Sequence, residues 1–380
     1  MSNRRLFRIN LWLHRWSSLV ATPFFLLLCI TGTVLIFHEE IDRALGYVPQ
    51  ASAHGSGLVR TPGDAVAAVQ AANPNRRVIL VSRDEDEHPG LLAVYVAPKN
   101  DTGFEHAKAV WVDATTAQLL ESADPDKTPT GIFLELHAQW FMGPLGEVFG
   151  ALIALLVLIS LVSGVVIYAP YVRNIAFGVL RRGAGPRLLQ LDLHNFFGAV
   201  VLGWLFVVTC TGFLLGFGTI AQGVWSNTEL KALKSRLETP GELDREHPPI
   251  GFDQAFAAAV RAQPGWRPTQ AVYPGTDLST AQHYTVLLFG AKGIRERLFR
   301  IALVNARTGS VDDVRDLPAY LQAIQLAQPL HFGDYGGLAL KILWVACSWL
   351  ALFITGNGAW LWWNRRRRAE SERVAAEPAT

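Results

Sequence analysis

LWLHRWSSLVATPFFLLLCITGTVLIF, residues 11–37, is a long apolar run that determines the fold class. Its length suits a helix that crosses a bilayer core of about 30 Å, which takes roughly 20 apolar residues. Three further runs have the same character, at residues 148–168, 196–217 and 338–363. The chain is 50% hydrophobic and 17% charged, whereas soluble domains are about 25% charged. We therefore expect a membrane α-helical bundle of four transmembrane helices.

Two histidines stand at equivalent places in the first and third runs. His14 opens the first run and His194 opens the third, and a Thr-Gly pair begins seventeen residues after each, at Thr31-Gly32 and Thr211-Gly212. Both landmarks repeat at an offset of 180 residues. This repetition predicts that the third helix is a copy of the first.

A second pair of histidines precedes the remaining two runs. His137 and His331 repeat at an offset of 194 residues, together with two pairs of glycines, Gly143 with Gly337 and Gly164 with Gly358. Both halves then enter the membrane in the same sense. The sequence therefore predicts an internal parallel duplication, with a pseudo-twofold axis along the membrane normal.

Two polar segments follow the first and third runs, and each has the pattern of an α+β module. Short helices are expected at residues 62–72 and 251–262, with Asp64 and Asp253 near their starts to cap free N–H groups. Strands are expected after each helix, at 78–82, 91–97 and 110–112 in the first segment and at 284–289 and 299–304 in the second.

Arginine placement predicts the orientation. Clusters lie at or before the start of the first run, between the second and third, and after the fourth: Arg4, Arg5, Arg8, Arg15; Arg173, Arg181, Arg182, Arg187; and Arg365 to Arg368. Cytoplasmic loops carry such an excess of positive residues. We expect a multi-pass protein of the bacterial inner membrane with both termini cytoplasmic and both polar segments periplasmic. The first run is read as a retained anchor rather than a cleaved signal peptide, because no small-residue cleavage site follows it.

These expectations define eight segments. They are transmembrane helix 1 (1–38), periplasmic module 1 (39–136), transmembrane helix 2 (137–170), a cytoplasmic loop (171–193), transmembrane helix 3 (194–218), periplasmic module 2 (219–330), transmembrane helix 4 (331–364) and a cytoplasmic tail (365–380).

Histidine inside a membrane is costly and usually functional, and a haem iron can take two imidazoles as axial ligands. We expect an inner site from His14 and His194 and an outer site from His137 and His331, each holding one haem b. Covalent attachment is not expected, because Cys-x-x-Cys-His does not occur. The alternative is interfacial histidines bonded to backbone or lipid headgroups. A zinc site is less favoured, since zinc normally takes four ligands.

Other residues leave alternatives open. His38 has no repeat partner, so it is either a ligand that replaces an outer histidine, a contact to a propionate or substrate, or a capping residue beside two glutamates. The matched glycines either admit a flat macrocycle or allow close helix packing. Five histidines in the polar segments are expected at the surface: His54, His88, His106, His247 and His283.

Two haems near opposite faces would carry electrons across the membrane. The cytoplasmic loops are too short for a flavin or nicotinamide domain, and no Gly-x-Gly-x-x-Gly follows a strand. The expected donor is therefore a separate cytoplasmic protein or a quinol. The net charge of +2 gives no basic field for nucleic acid.

The turn Val-Asp-x-x-Thr-x-x-x-Leu at 112–120 resembles the PepSY signature, and residues 304–309 resemble a second copy. The segments Leu-His-Arg-Trp at 13–16, Leu-His at 330–331 and Gly-Ala-Trp-Leu-Trp-Trp at 358–363 resemble the PepSY-associated transmembrane helix family. The layout is similar to FoxB-type ferric-siderophore reductases. This resemblance implies an enzyme of iron uptake that reduces a periplasmic ferric siderophore and releases Fe(II). The contrasting hypothesis is a non-enzymatic membrane module that binds or regulates without haem.

Overall fold

The computed structural model describes residues 3–51, 61–83, 88–173, 175–237, 243–245, 247–290 and 296–376, with the backbone alone for residue 3 and residues 368–376. Its helices are α1 Asn3–Leu35, α2 His38–Ala44, α3 Pro62–Ala72, α4 Pro129–Leu134, α5 Pro144–Val172, α6 Pro186–Leu215, α7 Gly218–Trp225, α8 Lys231–Leu237, α9 Phe252–Ala262, α10 Ala319–Phe332 and α11 Gly337–Ala376. Its strands are β1 Arg76–Ser82, β2 Leu91–Pro98, β3 Lys108–Asp113, β4 Leu119–Leu120, β5 Trp266–Val272, β6 His283–Gly290, β7 Phe299–Asn305 and β8 Val311–Asp316.

The chain folds as two compact units. The membrane unit comprises residues 1–41, 129–218 and 327–380, and the sheet unit comprises residues 42–128 and 219–326.

Four helices of the described chain are long and apolar enough to cross a membrane, as predicted: Arg4–Leu35, Pro144–Val172, Pro186–Leu215 and Asp334–Arg367. Two of them, α5 and α6, begin at a proline, whose missing N–H costs nothing in the first turn of a helix. Helix α1 packs against α5 and α11, and α6 packs against the same two helices. It follows that α1 and α6 lie diagonally across the bundle, as do α5 and α11.

The chain turns sharply before the second span. Glu135–Gln139 forms one π-helical turn, and Trp140 and Phe141 then adopt left-handed backbone φ angles of 53° and 57°. Such angles are uncommon for bulky residues and indicate a strained turn. His137 therefore lies ahead of α5 rather than within it. His331 lies in α10, likewise ahead of the last span.

The sheet unit is built around eight described strands, which form one antiparallel sheet in the order β4-β3-β2-β1-β5-β6-β7-β8. The five predicted strands all fall inside observed ones. Helices α3 and α9 cover one face, where Val69 and Ala259 are fully buried. Side chains of β7 alternate, so Ala302 and Val304 face these helices whereas Ile301 and Leu303 pack in a separate core with α7 and α8.

The two polar segments do not form separate modules, contrary to the prediction of two. Strand β1 pairs with β5, joining Leu80 to Val272, Val81 to Ala271 and Ser82 to Gln270. The physical reason is that each set of four strands alone would present an apolar edge with unpaired backbone groups. The described strands therefore fit a PepSY-like module built from both segments.

The PepSY-like turns have matching geometry. The Asp113 carboxylate accepts hydrogen bonds from the backbone N–H groups of Thr115 and Thr116 at 2.9 Å. The side chain of Asn305 accepts from the backbone of the two residues at the same positions of its own turn, at 2.9 and 3.3 Å. An Asx residue at this place thus replaces a backbone acceptor in a tight turn.

The surface prediction is wrong for His283. Its side chain is 1% exposed, and its two ring nitrogens lie 2.7 Å from Thr280 Oγ1 and 2.9 Å from Asp312 Oδ2. A buried imidazole needs such partners. His106 and His247 are exposed, and His88 is half-buried with its ring 4.7 Å from that of Trp111. His54 lies outside the described residues.

Candidate functional site

The membrane unit brings four of the predicted histidines together in two pairs. The ring centroids of His14 and His194 lie 6.4 Å apart with their planes at 80°. Those of His137 and His331 lie 6.3 Å apart with their planes at 63°. Each pair takes one histidine from each half of the chain. The pairs are those expected from the sequence offsets.

All four imidazoles are held through the same ring nitrogen, Nδ1. It lies 2.9 Å from the carbonyl oxygen of Ser160 in His14, 3.1 Å from that of Ile354 in His194, and 2.9 Å from that of Val208 in His331. A carbonyl oxygen only accepts, so Nδ1 must carry the proton. The Nε2 lone pair is then available to a metal, as in most metal-bound histidines.

Thr31 supplies the hydrogen-bond acceptor for Nδ1 of the fourth imidazole, His137. Its hydroxyl donates to the carbonyl oxygen of Leu27 at 2.9 Å, so its oxygen accepts from Nδ1 of His137 at 2.7 Å. Thr211 occupies the matching position and lies 3.2 Å from Nδ1 of His331. The threonine of each Thr-Gly pair is therefore a second partner or the main partner of an outer histidine.

Each matched glycine receives one of these rings. A Cβ atom added at Gly32, Gly164, Gly212 or Gly358 would lie 3.0–3.3 Å from Cε1 of His137, His14, His331 or His194, in that order. Three of these glycines come four residues after the carbonyl that accepts the Nδ1 proton. A side chain at that position would cover the carbonyl, because helical residues at i and i+4 lie on one face. The glycines thus make room for imidazoles, a role beyond the two considered from sequence.

The two pairs lie near opposite ends of the spans. On α1, His14 belongs to one pair, and Gly32 contacts His137 of the other. Eighteen residues separate them, and helical rise makes this roughly 27 Å along the axis. Two separate sites follow from this spacing.

The donor set fits a metal held mainly by a macrocycle. Among the described residues, no group of three or more histidine, cysteine, aspartate or glutamate side chains could enclose a metal ion. Within the described residues, each pair offers two imidazoles as donors. If both imidazoles of a pair held one metal through bonds of about 2 Å, with about 1 Å more to each ring centre, the ring centres would lie roughly 6 Å apart. The observed 6.3 and 6.4 Å match this spacing.

His38 belongs to neither ring pair of the described chain. It is exposed at the start of α2, and its Nδ1 lies 2.8 Å from the carbonyl oxygen of Leu35. The neighbouring Glu40 pairs with Lys341 of α11 at 2.8 Å. His38 therefore has the geometry of a residue at a helix end, which matches the capping role, one of the three alternatives for this residue.

The structure adds an ion pair beside the inner site. Asp192, two residues before His194, is 3% exposed. Its carboxylate accepts from the backbone N–H, Nε and a terminal nitrogen of Arg181 at 2.7–3.0 Å. This bidentate pair ties the loop after α5 to the start of α6. The sequence indicates this ion pair only through Asp192, an acidic residue about half a helical turn before the predicted ligand His194.

The chain belongs to the family described as the PepSY-associated TM region, which matches residues 11–365. It is also similar to an uncharacterized protein of Pseudomonas aeruginosa, with 27% identity over 267 residues. That match covers 64% of this chain and 65% of the relative, so the chain spans less than two thirds of the relative's length.

Proposed function

We propose that this protein is a di-haem b-type reductase that passes electrons across the bacterial inner membrane to a periplasmic ferric siderophore and so releases Fe(II). The observation that carries the proposal is the pairing of four Nδ1-anchored imidazoles at 6.3 and 6.4 Å. Two such pairs, roughly 27 Å apart along α1, are spaced for one centre near each face of a bilayer.

The chain's own residues supply ligation and orientation. Each imidazole is fixed by a helix carbonyl or a threonine hydroxyl, which sets the tautomer that leaves Nε2 free. When bound, haem b would supply one-electron chemistry, and the two imidazoles of each pair would hold its iron. No acid–base residue is required for electron transfer, which agrees with the purely structural hydrogen bonds around the pairs.

The direction of transfer rests on charge. The arginine clusters at the His14 end of the spans support a cytoplasmic inner site and cytoplasmic termini. The sheet unit then lies in the periplasm, and the offsets of 180 and 194 residues support an internal duplication.

The proposal of a ferric siderophore as the electron acceptor rests on the resemblance to FoxB-type reductases. Ferric iron is held in siderophores by hard oxygen ligands, and reduction to Fe(II) weakens those bonds. An acceptor on the periplasmic side would lie nearest the outer pair, His137 and His331. The resemblance, rather than a contact in the sheet unit, supports this substrate class.

The test is the pigment of the purified protein. We expect a Soret band, reduced α and β bands and two non-covalent haems per chain. His14→Ala and His194→Ala should each lose the same haem, and His137→Ala should lose the other, whereas the matched control His38→Ala keeps both. A folded but colourless protein after expression with ample haem would refute the reductase and favour the non-enzymatic module.

A further inference from the structure

A groove opens on the outside of the helical bundle between α6 and α11, close to the inner histidine pair. Its volume is about 350 Å³, near the lower end of the usual range for small-molecule sites of about 300–1,000 Å³. Its lining is mainly apolar and consists of Gln190, Leu352, Phe353, Gly356, Asn357 and Trp360. Phe353 and Trp360 are about 40% exposed, so in a membrane the groove faces lipid.

One polar atom in this groove lacks a partner. Asn357 is 7% exposed, and its Nδ2 donates to the backbone carbonyl of Gln190 at 2.9 Å. That bond fixes the amide orientation, and the buried Oδ1 then has no hydrogen-bond partner in the described structure. Buried acceptors are normally satisfied, and Asn357 lines the groove, so a hydroxyl of a molecule bound there could supply the missing donor.

The groove lies beside His194. Ile354, which accepts the Nδ1 proton of His194, and Gly358, which contacts its ring, flank Asn357 on the same helix. A molecule in the groove would therefore lie within one turn of α11 from two residues that contact His194.

The first half of the chain carries different residues at the positions that correspond to Gly356 and Asn357. At the offset of 194 residues, Gly356 corresponds to Val162 and Asn357 to Ser163. Val162 fills the position with an exposed side chain, and the Ser163 hydroxyl is satisfied within its own helix by the carbonyls of Ile159 and Ser160. The unpartnered acceptor thus arises where the second half departs from the first.

We infer that this groove binds a membrane quinol, the electron donor of the proposed reductase, on which this inference rests. A quinol combines an apolar ring and tail for the lipid-facing groove with a hydroxyl that can donate to Asn357 Oδ1. A lipid acyl chain has no such donor. In the overall reaction one quinol loses two electrons and two protons and becomes quinone. The electrons reduce two ferric siderophores to Fe(II), and the protons pass to water at the arginine-rich face.

The experiment measures binding and reduction separately on purified protein in detergent. Decylubiquinone should raise the melting temperature of the wild type in a saturable manner, since a ligand bound only to the folded state stabilises it. Decylubiquinol should reduce the haem. The Gly356→Val and Asn357→Ser variants, which restore the residues of the first half, should bind quinone about tenfold more weakly, in line with one lost hydrogen bond or a filled groove.

Gly203→Val is the matched control, because a Cβ atom there meets nothing within 4 Å and the residue is exposed on α6. It should bind quinone like the wild type, and all variants should keep their haem and its reduction by dithionite. Wild type that is reduced by dithionite but is neither stabilised by decylubiquinone nor reduced by decylubiquinol would overturn the quinol site and leave the reductase standing. Haem loss in Gly356→Val with unchanged quinone binding would overturn it too, by assigning the groove to the cofactor. Absence of haem from the wild type would instead refute the reductase, while the melting assay still decides quinone binding.

Discussion

Substituting Gly212 by alanine separates the stability of the helix from the occupancy of the outer site. The added Cβ would lie 3.0 Å from Cε1 and 3.5 Å from Nδ1 of His331. The ring must therefore move by a few tenths of an ångström, which lengthens its 2.9 Å bond to the carbonyl of Val208. That bond is worth about 1 kcal/mol.

The helix itself gains from the same change. Alanine is favoured over glycine in a helix interior by about 1 kcal/mol. The two effects nearly cancel, so we expect the haem-free protein to melt within a few degrees of the wild type. The displaced imidazole should nevertheless weaken outer haem binding by about tenfold, which corresponds to about 1.4 kcal/mol.

The assay is haem stoichiometry by absorbance together with thermal unfolding. Gly203→Ala is the control, because an added Cβ there has no neighbour within 4 Å; it should gain stability and keep both haems. Gly212→Leu, with a larger side chain against the same ring, should lose the outer haem entirely. Full occupancy and an unchanged spectrum in both Gly212 variants would refute the assignment of this glycine to the imidazole.

Three further changes test other parts of the structure. Thr31→Val leaves Nδ1 of His137 without its acceptor, at a cost of about 1–3 kcal/mol for an unpaired buried group; outer haem affinity should fall in titrations, and Thr31→Ser should restore it. Asp192→Asn removes the charge that holds the loop after α5, so the free energy of unfolding should fall by about 2 kcal/mol, as for a lost charged hydrogen-bond partner, and the melting temperature should fall with it. An unchanged melting temperature would show that the pair is dispensable. Hydrogen bonding and charge from Arg315 lower the pKa of Asp313, so the stability it contributes is present above its unfolded pKa of about 3.9 and lost as pH falls through the lower folded value. In Asp313→Asn the melting temperature should therefore depend less on pH across the acid range than in the wild type. An identical pH profile would contradict this prediction.

The spans and the histidine pairs of the membrane unit can largely be predicted from the sequence, because apolar runs and residue offsets indicate them. The offsets of 180 and 194 residues alone pair His14 with His194 and His137 with His331. The partners of the imidazoles were not readable in the same way. Ser160, Ile354 and Val208 contribute backbone oxygens, and a carbonyl leaves no residue-type signature.

The sheet unit was harder to read. Strand β5 contains Pro268, which cannot donate in a ladder and sits at a register shift. Strand β8 carries four charged residues in six, which is an edge-strand pattern that hydrophobic periodicity does not detect. The burial of His283 depends on Asp312, a partner 29 residues away on that same strand.

The pairing of β1 with β5 has a consequence for biosynthesis. It joins residues 188 to 192 positions apart, so β1 stays an open apolar edge until β5 has been made. The two imidazole pairs also form only after part of the second half has been made, since each needs one residue from it. The newly made first half is therefore a species that neither closes its sheet nor completes an imidazole pair. It depends on protection from edge-to-edge association until the rest of the chain has been made.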